Sequence, residues 1–272
     1  MIYYHVEVIL EMKNQVRDSK SLGDRMKEYE RAYDFKFSKR MPLILRLDGR
    51  AFHTFTKKFK GPYDETFISL MDKTARYLCE NIQGAKIAYV QSDEITILIK
   101  YYDELNSEPW FGNEMQKILS SSAALASSYF TSLICLGKAL GIKEFSDISW
   151  TPVQFDCKAF ILPEDEVCNN FIFRQQDWER NSVQLLGQIL FSQKELQGKS
   201  CKEIIRMCKD KGTSWSSLPT KLKRGRCIVR KPDTVEVLRS KGKLRLTNWA
   251  VDDEIPIFKD NRDYINQYLG LK

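Results

Sequence analysis

The chain has 272 residues, of which 43% are hydrophobic and 29% charged, and 43 Lys and Arg against 36 Asp and Glu leave a net charge of +7. That length can bury a full core as one large domain or two small ones, and the composition is that of an ordinary water-soluble globular protein. The two histidines exclude a histidine-built metal site, and seven cysteines without a C-x-x-C pair exclude a disulfide framework or zinc site and point to reduced thiols in the cytoplasm.

Residues 1–20 read as a variable N-terminal extension; they carry Glu7 and lack the basic start and small-residue cleavage site of a signal peptide. From Ser21 to Ala32 the spacing of Leu22, Met26, Tyr29 and Ala32 predicts an amphipathic helix, with Ser21 as cap and Asp24 in a capping-box-like position. Pro42 to Leu47 has the content and length of a strand and runs into Asp48-Gly49-Arg50. Phe52 to Asp64 comes next as an aromatic and basic loop, its Phe residues suited to plugging a core and Lys57, Lys58 and Lys60 able to reach a triphosphate. A helix over Glu65 to Asn81, with Phe67, Leu70, Met71, Thr74 and Leu78 at helical spacing, returns the chain to Ile87–Val90, then Gln91-Ser92-Asp93-Glu94 and the apolar Ile95–Ile99.

A small-residue helix is expected over Gln116 to Phe130, then a strand from Val153 to Leu162 ended by Pro163, then a helix from Phe171 to Phe191 carrying a stripe of Arg174, Gln175, Asp177, Arg180, Asn181 and Gln184. A helical hairpin over Leu196 to Thr213 precedes Lys221–Lys231, where Lys221, Lys223, Arg224, Arg226, Arg230 and Lys231 surround an apolar centre, either a solvated basic hairpin or a phosphate-facing strand. Trp249–Phe258 and a short helix close the chain. No apolar run approaches the length of a bilayer span, and no membrane contact is expected. The order of elements predicts an α+β fold: a ferredoxin-like, polymerase-palm-like antiparallel sheet with helices on one face, over residues 21–165, with a helical and basic portion over 166–272 packed on it as one continuous globular unit.

The chemistry lies in the two acidic strand ends. Neighbouring strands are about 5 Å apart, so Asp48 and Asp93 at matched heights can share divalent cations roughly 3.5–4 Å apart, the arrangement that serves in-line displacement at phosphorus. Gly49, lacking a Cβ, lets its carbonyl approach a metal or triphosphate, and Mg²⁺ takes such hard oxygen ligands while keeping waters and substrate phosphates. Asp-Gly-Arg is also a common turn and Ser-Asp-Glu a common loop, so each motif alone has a purely structural reading. The pair together also fits a palm-type cyclase, a small-molecule nucleotidyltransferase or a non-catalytic RNA-binding palm.

Arg46-Leu47-Asp48-Gly49-Arg50-Ala51-Phe52-His53, Pro62-Tyr63-Asp64, Tyr89-Val90-Gln91-Ser92-Asp93-Glu94, Ala126-Ser127-Ser128-Tyr129-Phe130, Phe155-Asp156-Cys157-Lys158 and Phe173-Arg174-Gln175-Gln176-Asp177 resemble, in order, the tRNA-histidine guanylyltransferase family. Arg180-Asn181-Ser182-Val183-Gln184 is similar to its bacterial and phage guanylyltransferase-like branch. The resemblance implies a Mg²⁺-dependent 3′–5′ nucleotidyltransferase: ATP activates a tRNA 5′-monophosphate, and the 3′-hydroxyl of GTP or another nucleoside triphosphate then attacks it. It implies Asp48, Gly49 and Asp93 as ligands of two or more ions, with Glu94 beside them in catalysis. It further implies Arg46, Arg50, Phe52, His53, Lys60, Ser92, Lys117 and Asn181 as nucleotide-binding residues, and Arg174, Asp177, Arg180, Lys223 and Arg224 as tRNA or phosphate contacts. A homotetramer, a dimer of dimers, is implied as well. The family's His-Ile-Asn-Asn element is replaced here by Glu179-Arg180-Asn181-Ser182, and its Lys-Pro-Asn-Asp by Gly61-Pro62-Tyr63-Asp64, departures that favour the branch repairing tRNA 5′ ends over strict guanylate addition to the histidine tRNA.

Overall fold

A computed structural model describes residues 21–59, 63–148, 152–231, 238–239, 242–243 and 249–270. Lys60, expected at the triphosphate, and the extension 1–20 fall outside these. The chain divides into a unit ending at Lys36 and a second from Phe37 onward. In the first, α1 (Leu22–Arg31) starts at Ser21, whose hydroxyl accepts from the Asp24 amide at 3.1 Å, as the capping pattern requires. Its apolar stripe of Leu22, Met26 and Tyr29 is exposed.

In the second unit, β1 (Leu43–Gly49), α2 (Glu65–Asn81), β2 (Ala85–Gln91), β3 (Glu94–Ile99), α3 (Met115–Ala139) and β4 (Phe155–Ile161) succeed one another in the expected order. The strands lie β4-β1-β3-β2, every neighbouring pair antiparallel, and β5 (Arg226–Arg230) and β6 (Trp249–Asp252) extend the sheet beyond β2. This is the ferredoxin-like palm. Asp64 starts α2 by accepting from the amides of Thr66 and Phe67. On composition alone α3 is long and apolar enough to cross a membrane, a length not credited from the sequence; Ile118, Ala126, Phe130 and Ile134 along it are buried in the core.

Alternation divides each strand between the two faces. Leu43, Leu45, Leu47, Val90, Ile95 and Ile97 pack with residues of α2 and α3, whereas Ile44, Tyr89 and Leu98 pack with Val167, Cys168 and Phe171 of α4 (Glu164–Leu190). The sheet is therefore covered on both faces: the connecting helices of the first four strands lie on one, as expected, and the C-terminal helical portion packs on the other. Helix α4 also begins seven residues before the Phe171 expected for it (171 minus 164), because Pro163 caps its start and Glu164, Asp165 and Glu166 favour its first turn. Its distal half is held by α5 (Cys201–Asp210) through Val183, Leu186, Ile204 and Cys208.

The basic segment is mostly structural. Arg226 is buried and ion-paired to Asp72 of α2, Arg224 bonds Glu179 at 3.0 Å, Lys221 bonds Glu65 at 2.8 Å, and Lys223 is buried with its ammonium on the Ser216 carbonyl at 2.7 Å. Lys223 and Arg224, expected as tRNA or phosphate contacts, are engaged with Ser216 and Glu179 within the fold. Gly225 makes the turn into β5 at φ +79°, where an added Cβ would sit 2.6 Å from the Val90 carbonyl oxygen. Both the left-handed backbone and the contact oppose any side chain there. Gly225→Ala is expected to lower stability by about 2–3 kcal/mol, read as a fall in the urea midpoint at unchanged slope.

Candidate active site

The register of the sheet sets four polar side chains in a row. Asp48 of β1 lies opposite Asp156 of β4 on one side and Glu94 of β3 on the other, and Glu94 lies opposite Gln91 of β2. These positions share the face covered by α4. Asp93 joins them from the hairpin joining β2 to β3, in which Ser92 takes φ +44° at the first central position of a two-residue turn. The Gly49 amide donates to the Asp93 carbonyl oxygen at 3.2 Å, tying the end of β1 to that hairpin.

The Phe52 ring is the reason residue 49 must be glycine. Ala51 turns the chain at φ +57° and swings that ring under Gly49, so that a Cβ on residue 49 would lie 2.3 Å from it. Phe52 is 2% exposed and packs with Phe55, Phe67, Phe130 and Phe155 at centroid distances of 5.3, 6.1, 5.6 and 5.0 Å. The ring of Phe52, expected among the nucleotide-binding residues, is an anchor beneath the Asp48-Gly49 turn.

Four negative groups on adjacent strands and one hairpin repel one another, and the structure compensates one of them fully. Arg174 of α4 grips Glu94 with Nε on Oε1 at 2.7 Å and NH2 on Oε2 at 2.5 Å, both side chains about nine-tenths buried. Gln91 Nε2 and Thr96 Oγ1 also donate to Glu94 Oε1, at 3.0 and 3.3 Å. Asp177 flanks Arg174 at 3.2 Å and binds Arg180 at 2.6 Å. Arg174, expected as a phosphate contact, is a clamp on Glu94 and also lines the cleft.

Among the described residues Asp48 and Asp93 have no such partner. Burial holds the Asp48 carboxyl above the usual carboxylate range, and the charges of Asp93, Glu94 and Asp156 push it further against only Arg46. Burial likewise raises Asp93, with Glu94 adding to it and the Ser92 hydroxyl and His53 opposing. Both carboxylates open into a cleft of about 380 Å³ that is lined also by Gln91, Ser92, Glu94, Arg174, Trp178 and Asn181. Among the described residues no group of three or more His, Cys, Asp or Glu is placed to hold an ion by itself. Two undercompensated carboxylates with backbone oxygens nearby form a hard, all-oxygen donor set that leaves room for water and phosphate, which is what Mg²⁺ takes.

Of the other expected residues, Arg46 shares the Asp48 face, His53 and Arg50 are exposed with Arg50 NH1 on Gln154 at 3.1 Å, and Asn181 lines the cleft. Lys117 lies on the first turn of α3 and pairs with Glu114 at 2.8 Å. Neither Lys117 nor Arg180 lines the cleft. Three participants carry no role that the sequence alone assigns. Asp156 is brought in by strand pairing, Trp178 by its place four residues after Arg174 on one helical stripe, and Gln91 by facing Glu94. Only the i, i+4 spacing of Arg174 and Trp178 is a usable signal.

A model of the tRNAHis guanylyltransferase family matches residues 23–163. A bacterial tRNA(His) guanylyltransferase-like protein in complex with ATP superposes with a TM-score of 0.79 at 40% identity, covering 92% of this chain and all of that one. A bacterial protein of the same description in complex with GTP gives 0.72 at 37% identity over 93% and 100%. The probable tRNA(His) guanylyltransferase of Dictyostelium discoideum is 31% identical over 147 residues, 52% of each chain.

The electrostatics carry two expected outcomes. Glu94→Ala strands a buried guanidinium and is expected to cost about 3 kcal/mol in chemical denaturation. A carboxyl whose folded pKa exceeds its unfolded value binds its proton more tightly in the folded state, so its ionisation lowers stability as pH rises through and beyond the ordinary carboxylate range. Asp93→Asn is therefore expected to raise the Tm near neutral pH and to lose that advantage at about pH 4, as scanning calorimetry across the range will show.

Proposed function

We propose, from the premise that this chain belongs to the tRNAHis guanylyltransferase family of nucleotidyltransferases, that it adds nucleotides in the 3′–5′ direction to tRNA 5′ ends and serves in 5′-end repair. The observation that carries the reading is the placement of Asp48 and Asp93 on the open end of a palm sheet, undercompensated and facing one cleft.

Asp48, Asp93 and the Gly49 carbonyl are the groups to hold Mg²⁺ ions, which when bound supply charge neutralisation at phosphate and a more acidic nucleophile. Asp48 and Asp93 orient the reacting phosphate through that site, and the rigid hairpin fixes their separation. In the first step a 5′-phosphate oxygen of the tRNA bonds to the α-phosphorus of ATP as pyrophosphate leaves. In the second, the 3′-oxygen of an incoming nucleoside triphosphate bonds to the activated 5′-phosphorus, AMP leaves, and the hydroxyl proton passes to solvent or a cleft carboxylate. Glu94, held by Arg174, keeps β3 and α4 in register and so fixes one wall of the cleft. Asn181 and Ser92 line the cleft, and with Arg46, Arg50 and His53 they are the proposed contacts for the nucleotide.

The departures at Glu179-Arg180 and Gly61-Pro62-Tyr63 support templated repair over the strict addition of one guanylate. The reading includes a cytoplasmic protein, in keeping with seven free cysteines, and a homotetramer. The test is to incubate the protein with Mg²⁺, ATP, the four nucleoside triphosphates and 5′-monophosphorylated tRNA lacking its first nucleotide, beside full-length histidine tRNA. Restoration of the truncated 5′ end by the template-matched nucleotide is expected. Preference for an extra guanylate on the histidine tRNA moves the assignment to maturation, and silence on both favours a small-molecule nucleotidyltransferase. Asp93→Ala is expected to retain the native circular dichroism spectrum while turnover falls about a thousandfold or more, as when a charge-stabilising group is removed from a phosphoryl-transfer site.

A further inference from the structure

A second cavity, of about 960 Å³, is lined by Gln184, Gln188, Phe191, Gln193, Lys194 and Gln197. It shares α4 as a wall with the catalytic cleft: the cleft takes Arg174, Trp178, Asn181 and Leu185 of that helix, and this groove takes Gln184, Gln188 and the Phe191 that ends it. Asn181 and Gln188 are two helical turns apart on one stripe, about 10 Å along the axis, which is the rise of about three stacked nucleotides. The opposite wall is the short helical turn Gln193–Leu196, fixed by the capping box of Ser192 and Glu195. The span from Phe191 to Thr213 has six Lys and Arg against three acids. Two of those acids, Glu195 and Glu203, accept from the amides of Ser192 and Ser200 at 2.8 Å, whereas Lys194 lines the groove and the Lys211 ammonium stands 4.2 Å from the centre of the Phe191 ring.

The lining selects the ligand by its chemistry. No carboxylate, thiol or imidazole is among these side chains to hold a metal ion, and glutamines outnumber the apolar groups that small-molecule pockets and protein docking surfaces favour. A primary amide both donates and accepts, the pattern that meets the edges of unpaired nucleobases. An aromatic ring adds a stacking face and lysines meet the phosphates between bases. Gln184 Nε2 rests on the Cys201 Sγ at 3.8 Å, a weak acceptor that a base edge readily replaces. Double-stranded RNA hides its base edges in a deep, narrow groove, so the ligand is an unpaired strand. A tRNA has such a strand, its unpaired 3′ end, immediately beside its 5′ end. We propose that this groove binds the bases of the unpaired 3′ end of the tRNA through the amides of Gln184, Gln188, Gln193 and Gln197 and the ring of Phe191. This rests on the proposed function in placing a tRNA 5′ end at Asp48 and Asp93, and it gives the enzyme a hold on the strand opposite the one being extended.

The test is fluorescence anisotropy, in Mg²⁺ and without nucleoside triphosphates, on 5′-phosphorylated acceptor-stem hairpins that end blunt, in a single-stranded 3′ overhang, or in the same overhang built from abasic nucleotides. The wild type is compared with Phe191→Leu and with Gln188→Ala and Gln193→Ala combined. The wild type is expected to bind the natural overhang about 10-fold more tightly than the blunt end, equivalent to about 1.4 kcal/mol, and the abasic overhang like the blunt end. Both variants are expected to lose that advantage while binding the blunt hairpin as the wild type does. Gln188 and Gln193 are exposed, so the glutamine variant keeps the fold even where Phe191→Leu does not. A wild type indifferent to the overhang overturns the proposal, as does an abasic overhang bound as tightly as the natural one, which marks a backbone contact. A loss equal on all three RNAs marks a general charge effect and overturns it too, and variants that keep the whole advantage leave the groove to another partner, a protein among them. Overhang selectivity in a wild type that extends no 5′ end leaves the groove standing and removes the 3′–5′ function; extension without the selectivity removes the groove alone.

Discussion

Like charges on neighbouring strands are the constraint around which this molecule is arranged. Asp156, Asp48 and Glu94 occupy matched positions on β4, β1 and β3, with Asp93 at the adjoining hairpin, and repulsion within such a row works against the sheet that displays it. Arg174 offsets one charge completely by meeting Glu94 with two nitrogens in a site nearly closed to water. That contact fixes α4 over the sheet, and with α4 come Trp178 and Asn181 on the cleft wall. The remaining carboxylates stay undercompensated, which is why burial and mutual repulsion raise Asp48 and Asp93 together. Stability is given up at the open end of this row.

Rigidity around that row has local causes. Ser92 and Ala51 both take left-handed backbone, an unfavourable conformation for residues with a Cβ, and both adjoin the acidic strand ends. The Phe52 ring packed beneath Gly49 fastens one end to an aromatic cluster that reaches α2, α3 and β4. Burial of each such ring contributes about 1.5–3 kcal/mol, enough to hold strained turns of this size. The hydrophobic core on one face therefore sets the separation of the carboxylates on the other.

Much of the charge in the C-terminal half is paired within the fold. Arg226 with Asp72, Arg224 with Glu179 and Lys221 with Glu65 join β5 and its preceding turn to α2 and α4. A sequence dense in cations reads as an anion-binding strip, yet Lys223 and Arg226 are buried and Lys221 and Arg224 are ion-paired. The distinction depends on which acidic residues lie opposite after folding. Asp72 is more than 150 residues from Arg226 in sequence, a separation of 154, and no local pattern connects them.

Much of the fold and the centre of the site were legible in the sequence. The period of Phe67, Leu70, Met71, Thr74 and Leu78 matched α2 from Glu65 to Asn81, the Ser21 cap marked the start of α1, and apolar runs of strand length located the palm strands, because short-range periodicity, run length and capping are local physics. The paired acids Asp48 and Asp93 stood out for the same reason: a carboxylate at the end of an apolar strand is a local oddity. What only the tertiary structure decided were relations between distant segments. Strand register brought Asp156 beside Asp48, and α4 crossing the second sheet face set Arg174 as the clamp on Glu94 and carried Trp178 to the cleft. Each depends on which side chains meet across the folded chain, and hydrogen bonds and desolvation come into being only when they meet.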